Sequence, residues 1–271
     1  MSEVFFVSIW PSAILLRRAQ VPASPHGDLP GPPPLGSLDV SALDLDLSPI
    51  RGVAFDLDGT TLNSEDLYLL VFEEMMRRRG HSYDVDTRAA MMGLPAAIAY
   101  RVLIDRKQLS DMPHALQAES EELFRDLLPK RLKPMAWVQD SLDQLDLLRL
   151  PRCIATSSHR AFAQRALEIV KLAERFDFVL TAEDVVCGKP APDIYLAAAE
   201  RMEIAASELL VLEDSAVGVS AGLAAGAVVV AVPNEHTRGS DFRGAAAVID
   251  SLQPIVAAFD ELIAARATRL I

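Results

Sequence analysis

The sequence predicts an α/β fold: a doubly wound parallel sheet with an all-helical segment inserted after its first strand. Three observations predict it. From residue 150 onward, short apolar runs alternate with stretches of helical period, the pattern of a parallel sheet covered by helices. A run of the same kind, "IRGVAFD" at 50–56, stands far upstream of the others. Between them lies a stretch with helical patterning and no strand signal, too long to be an ordinary crossover.

The elements follow in order. Residues 50–56 are an apolar run ending in an acid, which reads as a buried strand. From Ser64 to Gly80 the apolar residues Leu67, Leu70, Val71 and Met75 recur on one face, opposite Glu73, Glu74 and Arg77 to Arg79. Ser64 is the expected N-cap and Gly80 the expected stop. Residues 85–149 read as further helices. "CIATSS" (153–158) is the second strand, 160–172 a helix, "FDFVL" (176–180) the third strand and 192–202 a helix. "ELLVLEDS" (208–215) is the fourth strand and 216–226 a helix of small residues. "AVVVAV" (227–232) is the fifth strand, and "AAVID" (246–250) is a sixth candidate. Gly218, Gly222 and Gly226 are expected to let their helix lie close to the sheet, without a chemical role.

The expected organisation is an N-terminal extension at 1–48, partly disordered, a core from 49–63 and 136–271, and a helical cap at 64–135. Residues 22–36, "PASPHGDLPGPPPLG", have linker composition. The apolar run at 4–16 is too short to span a bilayer and is broken by Pro11. Its arginines, Arg17 and Arg18, follow the run, whereas a signal peptide carries its charge before it. No export signal and no membrane partner are expected. The net charge of −12, from 38 acidic and 26 basic residues in 271, argues against a nucleic-acid partner. The two cysteines, Cys153 and Cys187, form no C-x-x-C pair. They read as free thiols in a reducing cytoplasm.

In a parallel sheet the ligand sits beyond the C-terminal strand ends. Four segments that end strands, or lie just past them, carry polar residues: Asp56 and Asp58, Thr156 and Ser157, Lys189, and Glu213 with Asp214. Each has an ordinary reading alone. A D-x-D can be an acidic strand end, Thr156 and Ser157 a helix cap, Lys189 a solvated loop lysine, and Glu213-Asp214 another cap. Independent acidic strand ends do not need a Ser/Thr pair and a lysine at the other tips, so the convergence points to one site. A phosphate monoester brought to these acids needs a hard cation with oxygen ligands, Mg²⁺. Asp56, Asp214 and the Asp58 backbone carbonyl are suited to hold it. Asp56 is then the candidate nucleophile and Asp58 the candidate proton carrier. Lys189 is a point charge for the transferring group. The Thr156 hydroxyl and the Ser157 N–H suit phosphate oxygens. Gly59 and Thr60 shape the turn that separates the two aspartates.

"DLDGT" (56–60), "ATSS" (155–158), "GKPAPD" (188–193) and "LEDS" (212–215) resemble the four motifs of the haloacid dehalogenase-like hydrolases with a helical cap after the first motif. The resemblance spans about 50 to 250. It implies a Rossmann-like core, Mg²⁺ dependence and an aspartyl-phosphate intermediate. It assigns Asp56, Asp58, Thr156 and Lys189 to catalysis, and puts Glu213 beside Asp214 as the metal-binding fourth motif. Dehalogenases lack the second acid, which is present here as Asp58. Phosphonate-cleaving relatives carry a cap lysine that "MMGLPAAIAY" (91–100) lacks. β-Phosphoglucomutases place a histidine where Tyr68 stands and an arginine after the cap glycine, so a phosphomutase, like a catalytically silent binding protein, is the alternative to a phosphatase. The cap segments most resemble the sugar-phosphate phosphatase subgroup. The resemblance further implies that the cap closes over a small phosphate ester, turning at 61–64 and 132–138, with Glu65, Tyr68 and the Gly93 loop facing it. His159 is a further candidate contact. A monomer or weak homodimer is expected.

Overall fold

The computed structural model describes residues 45–91, 94 and 96–268. Within them the six predicted strands form one all-parallel sheet: β1 (Gly52–Phe55), β2 (Arg152–Ala155), β3 (Phe178–Leu180), β4 (Leu209–Glu213), β5 (Val228–Ala231) and β6 (Ala247–Val248). Their spatial order is β3-β2-β1-β4-β5-β6. The order reverses beside β1, so the switch point where such sheets bind ligands lies between β1 and β4.

The strands are apolar on both faces because both faces are covered. Val53, Phe55, Ile154, Leu210 and Leu212 point into one hydrophobic layer. Helices α5 (Val138–Leu148), α6 (Arg160–Ile169) and α9 (Gln253–Thr268) close that layer with Leu142, Leu145, Phe162, Ile255 and Phe259. Ala54, Cys153, Ala155, Val211 and Ala231 face the opposite layer, under α7 (Asp193–Arg201) and α8 (Ala216–Ala225). Small residues on that sheet face allow a close approach. A Cβ at Gly222 would stand 2.7 Å from Val229 Cγ2, which is the packing role expected for it. Gly226 has a different task. It ends α8 in the left-handed region at φ 79°, and a Cβ there would meet nothing within 4 Å.

Four helices lie between β1 and α5: α1 (Ser64–Arg78), α2 (Val85–Met91), α3 (Ala96–Lys107) and α4 (Pro113–Arg131). Tyr68 stacks on Phe124 at 4.4 Å, tying α1 to α4, and Phe72 packs on Tyr83 and Tyr100. Arg79 clamps Asp111 and Glu119 at 2.7 and 2.6 Å. Ser64 does not cap α1. Asn63 occupies the cap position with no side-chain cap bond, and the Ser64 hydroxyl is turned to another carboxylate, described below. The chain enters and leaves this helical insert through two segments that lie side by side. Met135 N donates to Thr61 O (2.9 Å), Asn63 N to Lys133 O (3.2 Å), and Lys133 N to Asn63 Oδ1 (2.9 Å). The described residues contain no helix long and apolar enough to cross a membrane.

Because Val229 is a stiff, buried neighbour, Gly222→Ala should lower stability by about 1–3 kcal/mol. A fall in the urea midpoint without a change in slope is the expected result.

Candidate active site

The ladder between β1 and β4 runs one residue past β1, since Asp56 N donates to Leu212 O at 2.9 Å. Asp56 therefore sits at the strand tip beside Glu213, which ends β4, and Asp214, which follows it. The chain then turns sharply. Thr61 and Leu62 N both donate to Leu57 O, the Thr61 hydroxyl to Asp56 O at 2.5 Å, and Gly59 N to Leu62 O. Gly59 has φ 80°, and a Cβ there would lie 2.5 Å from Asp214 Oδ2 and 2.4 Å from Asn234 Nδ2. Only glycine meets both conditions.

Oxygens of Asp56, Glu213 and Asp214 lie within 4.8 Å of one another. Lys189, 4% exposed, reaches this group from the loop before α7. Its ammonium spends all three N–H bonds: on Asp56 Oδ1 (2.6 Å), Glu213 Oε1 (2.6 Å) and Ala155 O (2.9 Å). Burial alone lowers its pKa, but the two carboxylates outweigh burial and hold it well above its usual value. One cation does not compensate three acids. Burial pushes Asp56 well above the carboxylate range even against Lys189. Asp214 is pushed up by burial and then by Glu65, Glu213 and Asp56.

The three acids are not equivalent. Glu213 Oε1 accepts from Lys189 and from Tyr195 Oη (2.8 Å), and Oε2 from Ser215 N and Oγ (3.1 and 3.0 Å). A Cβ on Gly218 would stand 1.6 Å from Glu213 Oε1, so this glycine makes room for the carboxylate. The structural role expected for it is thus a role at the site. Asp56 Oδ2 and Asp214 Oδ1 accept no hydrogen bond from the described residues, while Asp214 Oδ2 accepts from Asn234 Nδ2 at 2.7 Å. The open donors are hard carboxylate oxygens in a site with excess negative charge. That donor set fits a magnesium ion.

Asp58 stands apart. Its Oδ1 accepts from Ser64 Oγ (2.5 Å) and its Oδ2 from Ser158 Oγ (2.6 Å) and Thr156 Oγ1 (3.4 Å). Its side chain is not among the clustered acids. Thr156 Oγ1 also accepts from Ser158 N at 2.9 Å. The residues expected from sequence fall into two neighbouring groups: Asp56, Lys189, Glu213 and Asp214 in one, and Asp58 with Thr156 in the other, Lys189 reaching the carbonyl of Ala155 just before Thr156. Ser157 follows directly and is partly exposed. Glu65 lies near Asp58 and Asp214, and its Oε2 is buried with no hydrogen-bond partner. Tyr68 is half-buried against Phe124 and close enough to Asp58 for that charge, after burial, to raise its pKa. His159 pairs with Glu183 at 2.9 Å and makes no hydrogen bond to the site acids. Gly93 lies outside the described residues.

Sequence reasoning missed four contributors. Ser158 lies inside "ATSS", directly after the Thr156 and Ser157 that the strand-tip rule picks out. Ser64 has the sequence signature of a helix cap. Tyr195 looks like one more apolar position of α7. Asn234 follows β5 by three residues, and the strand-tip rule that found the other groups would have found it too.

Residues 53–232 match the family model described as haloacid dehalogenase-like hydrolase. The chain is 33% identical over 175 residues to the fructose-1-phosphate phosphatase YqaB of Escherichia coli, covering 65% of this chain and 92% of that one. It is 33% identical over 260 residues to (DL)-glycerol-3-phosphatase 1, mitochondrial, of Arabidopsis thaliana, covering 91% and 87%. Among solved structures it is similar to a HAD family hydrolase from Deinococcus radiodurans with bound phosphate and sodium, at a TM-score of 0.64 and 26% identity over 81% of this chain and 96% of that one.

Glu65 is pushed up from 4.5 to about 7, by burial first and then by Asp58. Between those values the folded protein holds a proton that the unfolded chain has released. Stability of the metal-free protein therefore falls as pH rises through this window. Glu65→Gln should make that fall shallower, measured as urea midpoints across the window with chelator present.

Proposed function

The chain belongs to the haloacid dehalogenase-like hydrolases, and from that membership we propose that it is a magnesium-dependent phosphatase of a small phosphorylated metabolite, a sugar or polyol phosphate, working through an aspartyl-phosphate. The observation that carries this reading is the buried set at the switch point. Asp56 has one oxygen tied to Lys189 and the other open, and Asp58 is held beside it by two serine hydroxyls.

Asp56 attacks phosphorus through a carboxylate oxygen as the bond to the leaving oxygen breaks. The Asp58 carboxyl gives its proton to that oxygen. It then takes a proton from the water that attacks the phosphoaspartate, which returns Asp56 and releases phosphate. Ser64 and Ser158 aim the Asp58 carboxyl. Lys189 fixes Asp56 and offsets charge on the transferring group, and Thr156 with the Ser157 N–H borders the phosphate. Glu213 holds Lys189, Tyr195 and Ser215 in place. A magnesium ion, held by Asp56 and Asp214 with the Asp58 carbonyl, would supply the charge neutralisation that lets a carboxylate approach a phosphate dianion.

Residues 64–135 act as a lid in this reading, hinged on the paired segments 61–63 and 133–135, with Glu65 and Tyr68 toward the substrate. Lid closure would exclude water until the ester is bound. The two phosphatases at 33% identity act, by name, on a sugar phosphate and on glycerol 3-phosphate, which supports this substrate class. Buried Cys153 and exposed Cys187 are free thiols, in keeping with a reducing, cytoplasmic setting.

The test is phosphate release over a panel of sugar and polyol phosphates with Mg²⁺. Asp56→Asn should lower turnover by about three orders of magnitude or more, and chelation should abolish it. Magnesium-dependent turnover retained in that variant would sink the nucleophile assignment. Isomerisation of a bisphosphorylated sugar without phosphate release would favour the mutase reading instead.

A further inference from the structure

One side chain of the core reaches across to the helical insert beside the site. His236, in the loop after β5, has a side chain only 6% exposed. Its Nε2 contacts Asp66 Oδ1, in the first turn of α1, at 2.9 Å. Its Nδ1 contacts the Arg88 guanidinium of α2. A guanidinium only donates and a carboxylate only accepts, so the two partners decide the tautomer. Nδ1 is the acceptor and Nε2 carries the proton. The ring is a neutral bridge that needs both of its nitrogens in different roles.

The same loop is tied to the acids. His236 N donates to Asn234 Oδ1 at 2.7 Å, and Asn234 Nδ2 donates to Asp214 Oδ2 at 2.7 Å. Asp66 is also tied to the hinge, since Asn63 Nδ2 contacts Asp66 Oδ2 at 3.4 Å and Asn63 Oδ1 accepts from Lys133 N. A short chain of contacts thus runs from the hinge, through Asp66 and His236, to Asp214.

We propose that His236 is a positioning residue: a neutral latch that holds the insert down over the acidic site by bridging Asp66 and Arg88, in register with Asp214 through Asn234. It rests on the lid reading above. Losing the latch lowers the population of closed protein, and apparent substrate affinity falls by the same factor. A glutamine offers one N–H donor and one carbonyl acceptor, so it can replace both roles; an alanine replaces neither.

The full-length protein is compared as wild type, His236→Ala, His236→Gln, Asp66→Ala and the Ala/Ala double variant, with fructose 1-phosphate as probe. His236→Ala should raise KM about tenfold with kcat changed by less than about twofold. His236→Gln should stay near wild type, and the double variant should be no worse than the worse single. Unchanged KM in His236→Ala, additive effects in the double variant, or no rescue by glutamine would overturn the latch. Amide hydrogen exchange provides a reading independent of turnover. His236→Ala should speed exchange in the first turn of α1 and in α2 while leaving β1 and β4 unchanged, and unaltered exchange in the insert would also overturn the proposal. If the wild type hydrolyses no phosphate ester, the phosphatase reading fails and exchange alone decides the latch.

Discussion

Three carboxylates share one buried corner with a single lysine, and the surrounding fold is organised around that charge. The lysine has no N–H to spare: two go to acids and the third to a strand carbonyl. Removing it would leave acids buried and uncompensated, a far larger cost than removing an exposed ion pair. Glu213 is held by four donors from three residues. The absence of a side chain at position 218 is part of the same arrangement, because any Cβ there would collide with that carboxylate. The remaining negative charge is what suits the corner to the divalent cation proposed above.

Asp58 illustrates the opposite treatment of the same chemical group. It lies two residues from Asp56, yet it faces hydroxyls and no lysine. The turn at Gly59 separates the environments, and one of the three hydroxyls comes from the first residue of α1. The position of that carboxylate is therefore tied to the start of the helical insert. The two linker segments are hydrogen-bonded to each other, so a movement of the insert is a movement of both together.

Much of this was legible in the sequence. Apolar runs ending in polar residues located the strands and their tips, because a parallel sheet buries both faces and leaves its chemistry at the ends. The acids, the lysine and Thr156 were all found in that way. What stayed hidden depended on contacts that only the folded chain makes. Ser64 looked like a helix cap because serine at a helix start usually is one, and only the fold brings Asp58 within its reach. Tyr195 is indistinguishable from its apolar neighbours until Glu213 is placed beneath it. His236 has no motif around it, since its partners, Asp66 and Arg88, lie 170 and 148 residues upstream. Gly226 looks like a packing glycine in the sequence because a helix-ending glycine shares the same spacing.

The strand order has a consequence for how the molecule comes into being. Val53 pairs with Arg152 on one side and Leu210 on the other, so the central strand finds its partners only after very long stretches of chain have been brought back. Contacts of that separation are slow to form. The four inserted helices are contiguous and mostly contact one another, so they can organise early and shorten the span that must close. The acids at the tips of β1 and β4 meet only when that closure is complete. Their mutual repulsion is felt at the last stage of assembly, and an ion held by Asp56 and Asp214 together would recognise the finished sheet and not its precursors.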